Sequence, residues 1–532
     1  MKYGFVIDNR KCIGCHACTV ACKSEHDVPI GVNRTWVKQV ETGTFPDTNR
    51  LFSVMRCNHC TNAPCVEICP TEALFIRDDG IVDFNNDRCI GCKSCMQACP
   101  YDAIYVDPET HTAAKCNYCA HRVDVGLEPA CVNVCPEHAI ISGDLDDPAS
   151  EIALLIATQP VNARKVEKGT QPNLFYIDGD PASLEPTATA RSDQYVSSSQ
   201  SEGVGHYARF AEKVLEGKSL VEMAKELSGE KGTSNRRNQR SIHLVMERAR
   251  RVYDAPSKGV LWGWEVAGYI WTKAISTGLF LVLFLANFFV EDVEAMIIPS
   301  LVISLVFLGI TTALLVKDLD KPTRFFYVVM RPQWNSWLVR GGYSLMLFGG
   351  TVTVYLLSSL LDWPIIGELS FWTSAILAPI VSTYTAFLFA QAKGRDFWQG
   401  PSLPFHMLGH SFLAGSASFA VIAFLLDLGP EWSSFIRMSL SLSILVNLLI
   451  ITFEMLSKHP TSDGKETVRL IMSGKYSSKF WAGVIIIGNL VPLILTMNQS
   501  PELLALAGLT ACLGIFITEH IWVDAPQQID LS

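Results

Sequence analysis

Apolar residues recur along this chain in two different ways. Up to about residue 258 they come in short alternating stretches. Phe5-Val6-Ile7-Asp8 and Gly80-Ile81-Val82-Asp83-Phe84 predict small strands, and Trp36 to Met55 predicts a strand, a turn and a second strand. Residues 181–205, rich in Ser, Thr, Ala and Pro, read as a linker. Beyond them, Phe210, Val214, Val221, Ala224 and Leu227 form a helical stripe over Tyr207–Leu227, and a second helix is expected over Ser241–Tyr253.

From about residue 260 the apolar runs lengthen to the thickness of a lipid bilayer. Eight spans are predicted, at about 266–290, 295–316, 339–361, 369–391, 407–427, 434–456, 480–497 and 503–523. The seventh is short and is interrupted by Pro492. An even number returns the chain to the face it started from. Loops on that face carry Lys317, Lys321, Arg324, Arg331, Lys393, Arg395, Lys458, Lys465, Arg469, Lys475 and Lys479. The opposite loops carry Glu291, Asp292, Glu294, Asp362, Glu368, Glu431 and Glu502, with Arg437 almost alone among them. The excess of basic residues predicts that the N-terminal face, with everything before the first span, is cytoplasmic and that the membrane is the cell (inner) membrane.

Composition sharpens this division. The 532 residues have a net charge of -9, but the average joins a charged half to an apolar one. No compact basic field points to nucleic acid. The arginines from Arg236 to Arg251 read as the cytoplasmic flank of the first span. Met1 to Asp8 leads almost at once into the first cysteine run, leaving no room for a signal peptide or a twin-arginine pair.

Sixteen of the 17 cysteines lie between Cys12 and Cys135, in four groups of four. Cys12, Cys15, Cys18, Cys22 and Cys89, Cys92, Cys95, Cys99 share the spacing C-x-x-C-x-x-C-x-x-x-C, which wraps a cubane iron–sulfur cluster. Cys57, Cys60, Cys65, Cys69 and Cys116, Cys119, Cys131, Cys135 have a lengthened middle spacer. Three close thiolates supply three corners of a cube, and the last cysteine of a run serves the neighbouring cluster. Four runs therefore imply four [4Fe-4S] clusters in two exchanged pairs. A disulfide framework is expected in a small secreted domain, and zinc pairs lack the recurring third and fourth cysteine. Thr71-Glu72-Ala73-Leu74, Tyr101-Asp102-Ala103-Ile104 and Glu137-His138-Ala139-Ile140 follow three of the runs alike, the mark of a duplicated unit.

These runs, with Cys57-Asn58-His59-Cys60 and Cys116-Asn117-Tyr118-Cys119, resemble the four-cluster electron-transfer subunits of molybdopterin oxidoreductases, among them dimethyl-sulfoxide, polysulfide, nitrate and formate enzymes. Arg164-Lys165 and Pro172 to Ile177 resemble that family's closing segment. The resemblance covers roughly residues 1–180. It implies that the first run pairs with the fourth and the second with the third: Cys12, Cys15, Cys18 with Cys135; Cys116, Cys119, Cys131 with Cys22; Cys57, Cys60, Cys65 with Cys99; Cys89, Cys92, Cys95 with Cys69. It also implies a separate catalytic subunit carrying a molybdenum or tungsten pterin cofactor.

Residues 260–532 resemble the quinone-reactive membrane anchors of the polysulfide-reductase and nitrite-reductase type. The matching stretches are Lys317 to Pro322, Arg331-Pro332, Ser336 to Gly341, Gly394 to Trp398 and Ala525 to Ser532. The fold expected is thus an α+β double ferredoxin-like iron–sulfur domain (1–180), a linker with amphipathic helices (181–258) and an all-α membrane bundle of about eight transmembrane helices (259–532). The function implied is electron transfer between the partner subunit and menaquinone or ubiquinone, with no substrate centre in this chain. The alternatives are a quinol-oxidising subunit donating to haem carriers, as in the alternative third respiratory complex, and a redox-driven proton-translocating subunit.

Ionisable residues inside spans are costly and mark function by default. Glu265, Tyr269 and Lys273 share a face of the first span, and Arg340 and Tyr343 begin the third. With His410 of the fifth span they are the candidate quinone ligands. Glu454, Glu519 and His520 are the candidate proton relay. His406 and His410 share a face, but a haem needs ligands from a pair of helices and none is expected here. Cys512 reads as a packing residue.

Overall fold

The computed structural model describes residues 1–44, 46–189 and 249–532. In the N-terminal half β1 (Tyr3–Asp8) lies at the centre of a four-stranded sheet. It pairs antiparallel with β8 (Ile140–Asp144) and parallel with β10 (Leu174–Ile177), which in turn pairs with β9 (Val161–Asn162). β2 (Thr35–Thr44) and β3 (Asp47–Arg56) form the hairpin predicted between Trp36 and Met55. Two small hairpins, β4 (Leu74–Ile76) with β5 (Val82–Phe84) and β6 (Ile104–Val106) with β7 (Ala113–Lys115), complete the domain.

The duplication seen in the sequence is also a duplication of backbone. Glu72, Asp102 and His138 all hold positive φ, at 52°, 56° and 47°, and each lies two residues before a strand, β4, β6 or β8. His16 and Lys93 match in the same way, at 60° and 59°, before the short helices Ala17–Glu25 and Ser94–Ala98.

Residues 181–188, expected as linker, contain a short helix, Pro181–Leu184, and a 3-10 turn, Pro186–Ala188. The helix expected over Tyr207–Leu227 lies outside the described residues. The one expected over Ser241–Tyr253 is a strand in its last five residues: β11 (Ala249–Tyr253) pairs antiparallel with β2. Alternation explains it. Arg251 turns inward and is fully buried, its guanidinium 3.0 Å from Asp254 and bonded to the carbonyls of Pro186 and Thr189, while Arg250 is exposed.

Among the described residues, eight helices are long and apolar enough to cross a membrane: Trp264–Phe289, Glu294–Lys317, Trp337–Leu360, Pro364–Gln391, Leu403–Leu425, Pro430–Leu456, Lys479–Thr496 and, as the eighth, Pro501–Asp524. The first is the most buried and packs against the second, fourth, fifth and eighth. Leu347, Ile376, Leu442, Leu449 and Leu509 stand exposed on the bundle's outer surface, as lipid-facing residues do. The seventh span begins as a π-helix, Lys479–Leu490, and continues as an α-helix from Val491. Pro492 explains the change, because its ring and missing N–H are incompatible with a regular α-turn before it. Between the sixth and seventh spans, an amphipathic helix (Ser462–Met472) occupies what the sequence presents as a polar loop.

The two halves dock tightly. Gly91 (φ 71°) lets the loop after the second span approach; a Cβ there would meet Asp320 Cβ at 2.7 Å. Lys93 pairs with Asp320 at 2.9 Å, and the Arg324 guanidinium donates to the Cys89 carbonyl at 3.0 Å. Arg395 and Gln527 clamp Gln97 from the membrane side, at 2.9 and 2.5 Å. Lys165 pairs with Asp463 at 3.0 Å, and Lys168 pairs with Asp396.

Candidate functional site

Strand pairing decides where the last cysteine of a run arrives. Ile7 of β1 is opposite Ile140 of β8, so Cys12, just after β1, and Cys135, just before β8, flank the same end of the sheet. Cys12, Cys15, Cys18 and Cys135 line one small hollow, and Cys69, Cys89, Cys92 and Cys95 line another. Cys22 is surrounded by Cys116, Cys131 and Cys119, and Cys99 faces Cys57, Cys60 and Cys65. All seventeen cysteines are free of disulfides.

The chemistry of these groups fits a cationic metal–sulfur core. Burial pushes the Cys18 thiol up to about 11 and Cys92 to about 12, with neighbouring thiols adding to both. Packed thiolates of this kind are stable only around a cation that displaces their protons. Backbone N–H groups of His59, Ala113 and Ala139 already aim at the sulfurs of Cys57, Cys89 and Cys135, at 3.5, 3.4 and 3.2 Å. The fully buried Arg56 donates to Cys131 Sγ at 3.1 Å; burial opposes its charge, but Cys131, Cys116 and Cys18 outweigh that and hold it protonated.

The four groups stand in a row. Cys18 is in electrostatic contact with Cys131, Cys116 with Cys57, and Cys95 with Cys65. Cys15 at one end is exposed to solvent. Cys92 at the other end lines a cavity of about 310 Å³ in the membrane half. Its backbone carbonyl accepts the Trp262 indole N–H at 3.1 Å.

That cavity lies against the first, second, third and fourth spans and is overwhelmingly apolar. Its polar groups are few: Tyr269, Tyr343, Tyr384, Thr312, Ser94 and Asp318. Gly309 and Met346, exposed on the outside of the bundle, also line it, so a lipid-soluble molecule has access from the bilayer. Of the residues singled out from sequence, Tyr269 and Tyr343 line the cavity. Lys273 lies one layer behind it. Its ammonium donates to Thr385 Oγ1 at 2.5 Å and to the Ser382 carbonyl at 3.0 Å, and it lies 4.5 Å over the Tyr384 ring. Glu265 pairs with Lys317 at 3.5 Å, and Arg340 donates to the Trp334 carbonyl at 2.6 Å on the surface.

His410 lies apart from the cavity, 2.6 Å from Glu519 through Nδ1. Glu454 meets His406 Nδ1 at 2.9 Å and accepts the Trp522 indole N–H at 3.2 Å. His520 is only partly buried and, among the described residues, makes no hydrogen bond to this group. Sequence reasoning missed Asp318 and Tyr384 as cavity residues. Asp318 stood in a stretch already noted for its resemblance, an acid on the basic face.

Burial pushes the Asp318 carboxyl up to about 7; Lys93 opposes this, and Glu265 and Asp320 reinforce it. Below that pH it is an acid able to donate at the cavity, and above it a carboxylate. Reduction of a molecule held there, which consumes protons, is expected to slow as pH rises through about 7. In Asp318→Asn the pH profile should flatten across the same interval, which steady-state rates in buffers spanning it will check.

A model of the family "Polysulphide reductase, NrfD" matches residues 254–528. Two models of a 4Fe-4S dicluster domain match residues 48–145 and 11–74. A tetrathionate reductase subunit of Salmonella typhimurium is 46% identical over 190 residues, 35% of this chain and 76% of that protein. A polysulfide reductase subunit of Wolinella succinogenes is 44% identical over 187 residues, 35% of this chain and 98% of that protein. Protein NrfC of Escherichia coli is 45% identical over 181 residues, 33% of this chain and 81% of that protein.

Proposed function

Because this protein belongs to the polysulphide reductase NrfD family, with 4Fe-4S dicluster domains fused ahead of the membrane half, we propose that it wires a separate catalytic subunit to the membrane quinone pool. Relatives of its first half are subunits of tetrathionate and polysulfide reductases. The partner in this reading carries a molybdenum or tungsten pterin cofactor. It docks at the exposed Cys15 end, the iron–sulfur domain lies on the cytoplasmic face, and no haem takes part. When bound in the four cysteine groups, four [4Fe-4S] clusters supply one-electron carriers in a row. The chain's own residues hold that row in register, and Gly91, Lys93 and Trp262 press its last member against the membrane half.

The observation that carries this reading is the apolar cavity with Cys92 at its edge and three tyrosines and a carboxyl in its wall. Such a site suits a flat, lipid-soluble molecule with two carbonyl oxygens. Gly342→Phe tests it. A Cβ at Gly342 has its nearest neighbour, Val328 Cγ1, at 3.9 Å, so the ring can enter the cavity without moving backbone. Reaction with quinone is expected to fall at least about a hundredfold, from loss of most of a binding site worth several kcal/mol, while iron content and cluster spectra stay native. Unaltered quinone kinetics in this variant would reject the assignment.

A further inference from the structure

A second cavity, of about 580 Å³, lies under the iron–sulfur domain on the face where the basic loops gather. Its wall carries Lys168, Lys393, Asp396 and Lys458, and it reaches inward to Ser402 and Glu454. It is roomy and polar enough to hold water. From Glu454 a line of buried ionisable groups leads into the bundle. Ser402 Oγ donates to Glu454 Oε1 at 3.1 Å, and Glu454 Oε2 is 2.9 Å from His406 Nδ1. His406 Nε2 stands 3.8 Å from Glu519 Oε1, which is 2.6 Å from His410 Nδ1. The two imidazole rings are 4.1 Å apart.

Three atoms in this line, His406 Nε2, His410 Nε2 and Glu519 Oε2, are buried with no hydrogen-bond partner among the described residues. Idle polar atoms inside a membrane bundle are expensive, so a structural clamp would be built with its atoms paired. A line that passes protons needs free lone pairs and short gaps between them. The far end also leads somewhere. Lys273 lies within electrostatic reach of Glu519, and it touches Thr385 and the ring of Tyr384, which lines the Cys92 cavity. The hydroxyls of Ser411 and Ser382, 2.5 Å apart, run alongside.

We propose that Glu454, His406, Glu519, His410 and Lys273 form a proton route from the water-filled cavity on the iron–sulfur face to the quinone pocket. The inference rests on the reading of the Cys92 cavity as the quinone site. Reduction of a quinone takes two electrons, which arrive from the iron–sulfur domain, and two protons, one to each carbonyl oxygen, giving the quinol. A proton enters at Glu454, passes to His406 and across the 3.8 Å gap to Glu519 and His410, then through bridging water to Lys273. Lys273 gives it up at the Tyr384 side of the pocket, and the route refills from the cavity. Electrons and protons then enter from one face, so quinol formation moves no net charge across the membrane.

The test uses the purified complex, reduced with a stoichiometric amount of dithionite and mixed rapidly with menadione, the re-oxidation being followed by iron–sulfur absorbance. In Glu454→Gln, which keeps the shape and loses the proton, the rate at saturating menadione should fall at least about tenfold, the low end of what a proton donor contributes. The half-saturating menadione concentration and the iron content should not change, and Glu454→Asp should recover part of the rate. His406→Gln should behave like Glu454→Gln and stands in for it if that variant fails to accumulate. Native rates in both variants would overturn the proposal, as would slowing that appears only as weaker menadione binding. A stoichiometric divalent metal other than iron, whose removal reproduces the loss, would also overturn it and make His406, His410 and Glu519 a metal site. If Gly342→Phe leaves the menadione reaction untouched, the pocket reading has failed. If Gly342→Phe abolishes the reaction while Glu454→Gln runs at the native rate, only the proton route has failed.

Discussion

Alanine at Cys99 is expected to strip the iron held by the second run, Cys57, Cys60 and Cys65, and to spare the run in which Cys99 itself stands. The thiol of Cys99 faces those three cysteines, and Tyr101 and Ala103 direct their backbone N–H groups to its sulfur. With one corner open and the other three thiols buried, the remaining site lacks the thiolate that balances its core. Of about sixteen irons per chain, about four should be lost. Cys69→Ala is the matched experiment, because Cys69 stands in the second run but lines the hollow of Cys89, Cys92 and Cys95. Both variants should interrupt electron flow to quinone, but they should differ by low-temperature spin resonance. The signal that shifts when a quinone-site inhibitor binds should survive in Cys99→Ala and vanish in Cys69→Ala. The reverse result would mean that each run keeps its own fourth cysteine, and the row of sites from Cys15 to Cys92 would have to be redrawn.

What could be read in the sequence was whatever is local. Three cysteines at C-x-x-C-x-x-C spacing must share a loop, and some twenty apolar residues in a row predict a span. The arrival of Cys135 beside Cys12 is set by β1 meeting β8, strands more than 130 residues apart, a pairing that no spacing rule encodes. The buried ion pairs escaped for the same reason. His406 meets Glu454 across 48 residues and His410 meets Glu519 across 109, while the adjacent His520, the apparent partner by sequence, stays outside. The helix expected over Ser241–Tyr253 ends as a strand, because the alternate burial of Ala249–Tyr253 against β2 is a tertiary decision. The helix Ser462–Met472 was hidden by its own charge, since Asp463 needs Lys165 from the other half of the protein to be buried at all.

Where the first and fifth spans cross, Gly415→Leu should be strongly destabilising. A Cβ at Gly415 would lie 2.2 Å from the Gly278 carbonyl oxygen, and one at Gly278 would lie 1.9 Å from that of Ser411. Both obstacles are backbone, so no rotamer relieves them and the helices must part. Close approach through small residues is how spans gain packing energy where the hydrophobic effect is absent. Overpacking of this kind costs about 1–3 kcal/mol when side chains can adjust, and the upper end or more is expected where they cannot. Gly350→Ala gives the opposite expectation, because a Cβ there meets nothing within 4 Å. It should leave the melting midpoint unchanged or raise it, alanine being favoured over glycine in a helix by about 1 kcal/mol. Melting curves of the detergent-solubilised complex will compare the two. The crossing also links stability to the proposed chemistry: Gly278 is five residues beyond Lys273 and Gly415 five beyond His410, so parting the helices widens the interval between the proposed proton line and the proposed quinone pocket. Even the milder Gly415→Ala should therefore slow quinone reduction as well as lower the midpoint. A native midpoint together with a native rate in Gly415→Ala would show that the two spans do not cross this closely.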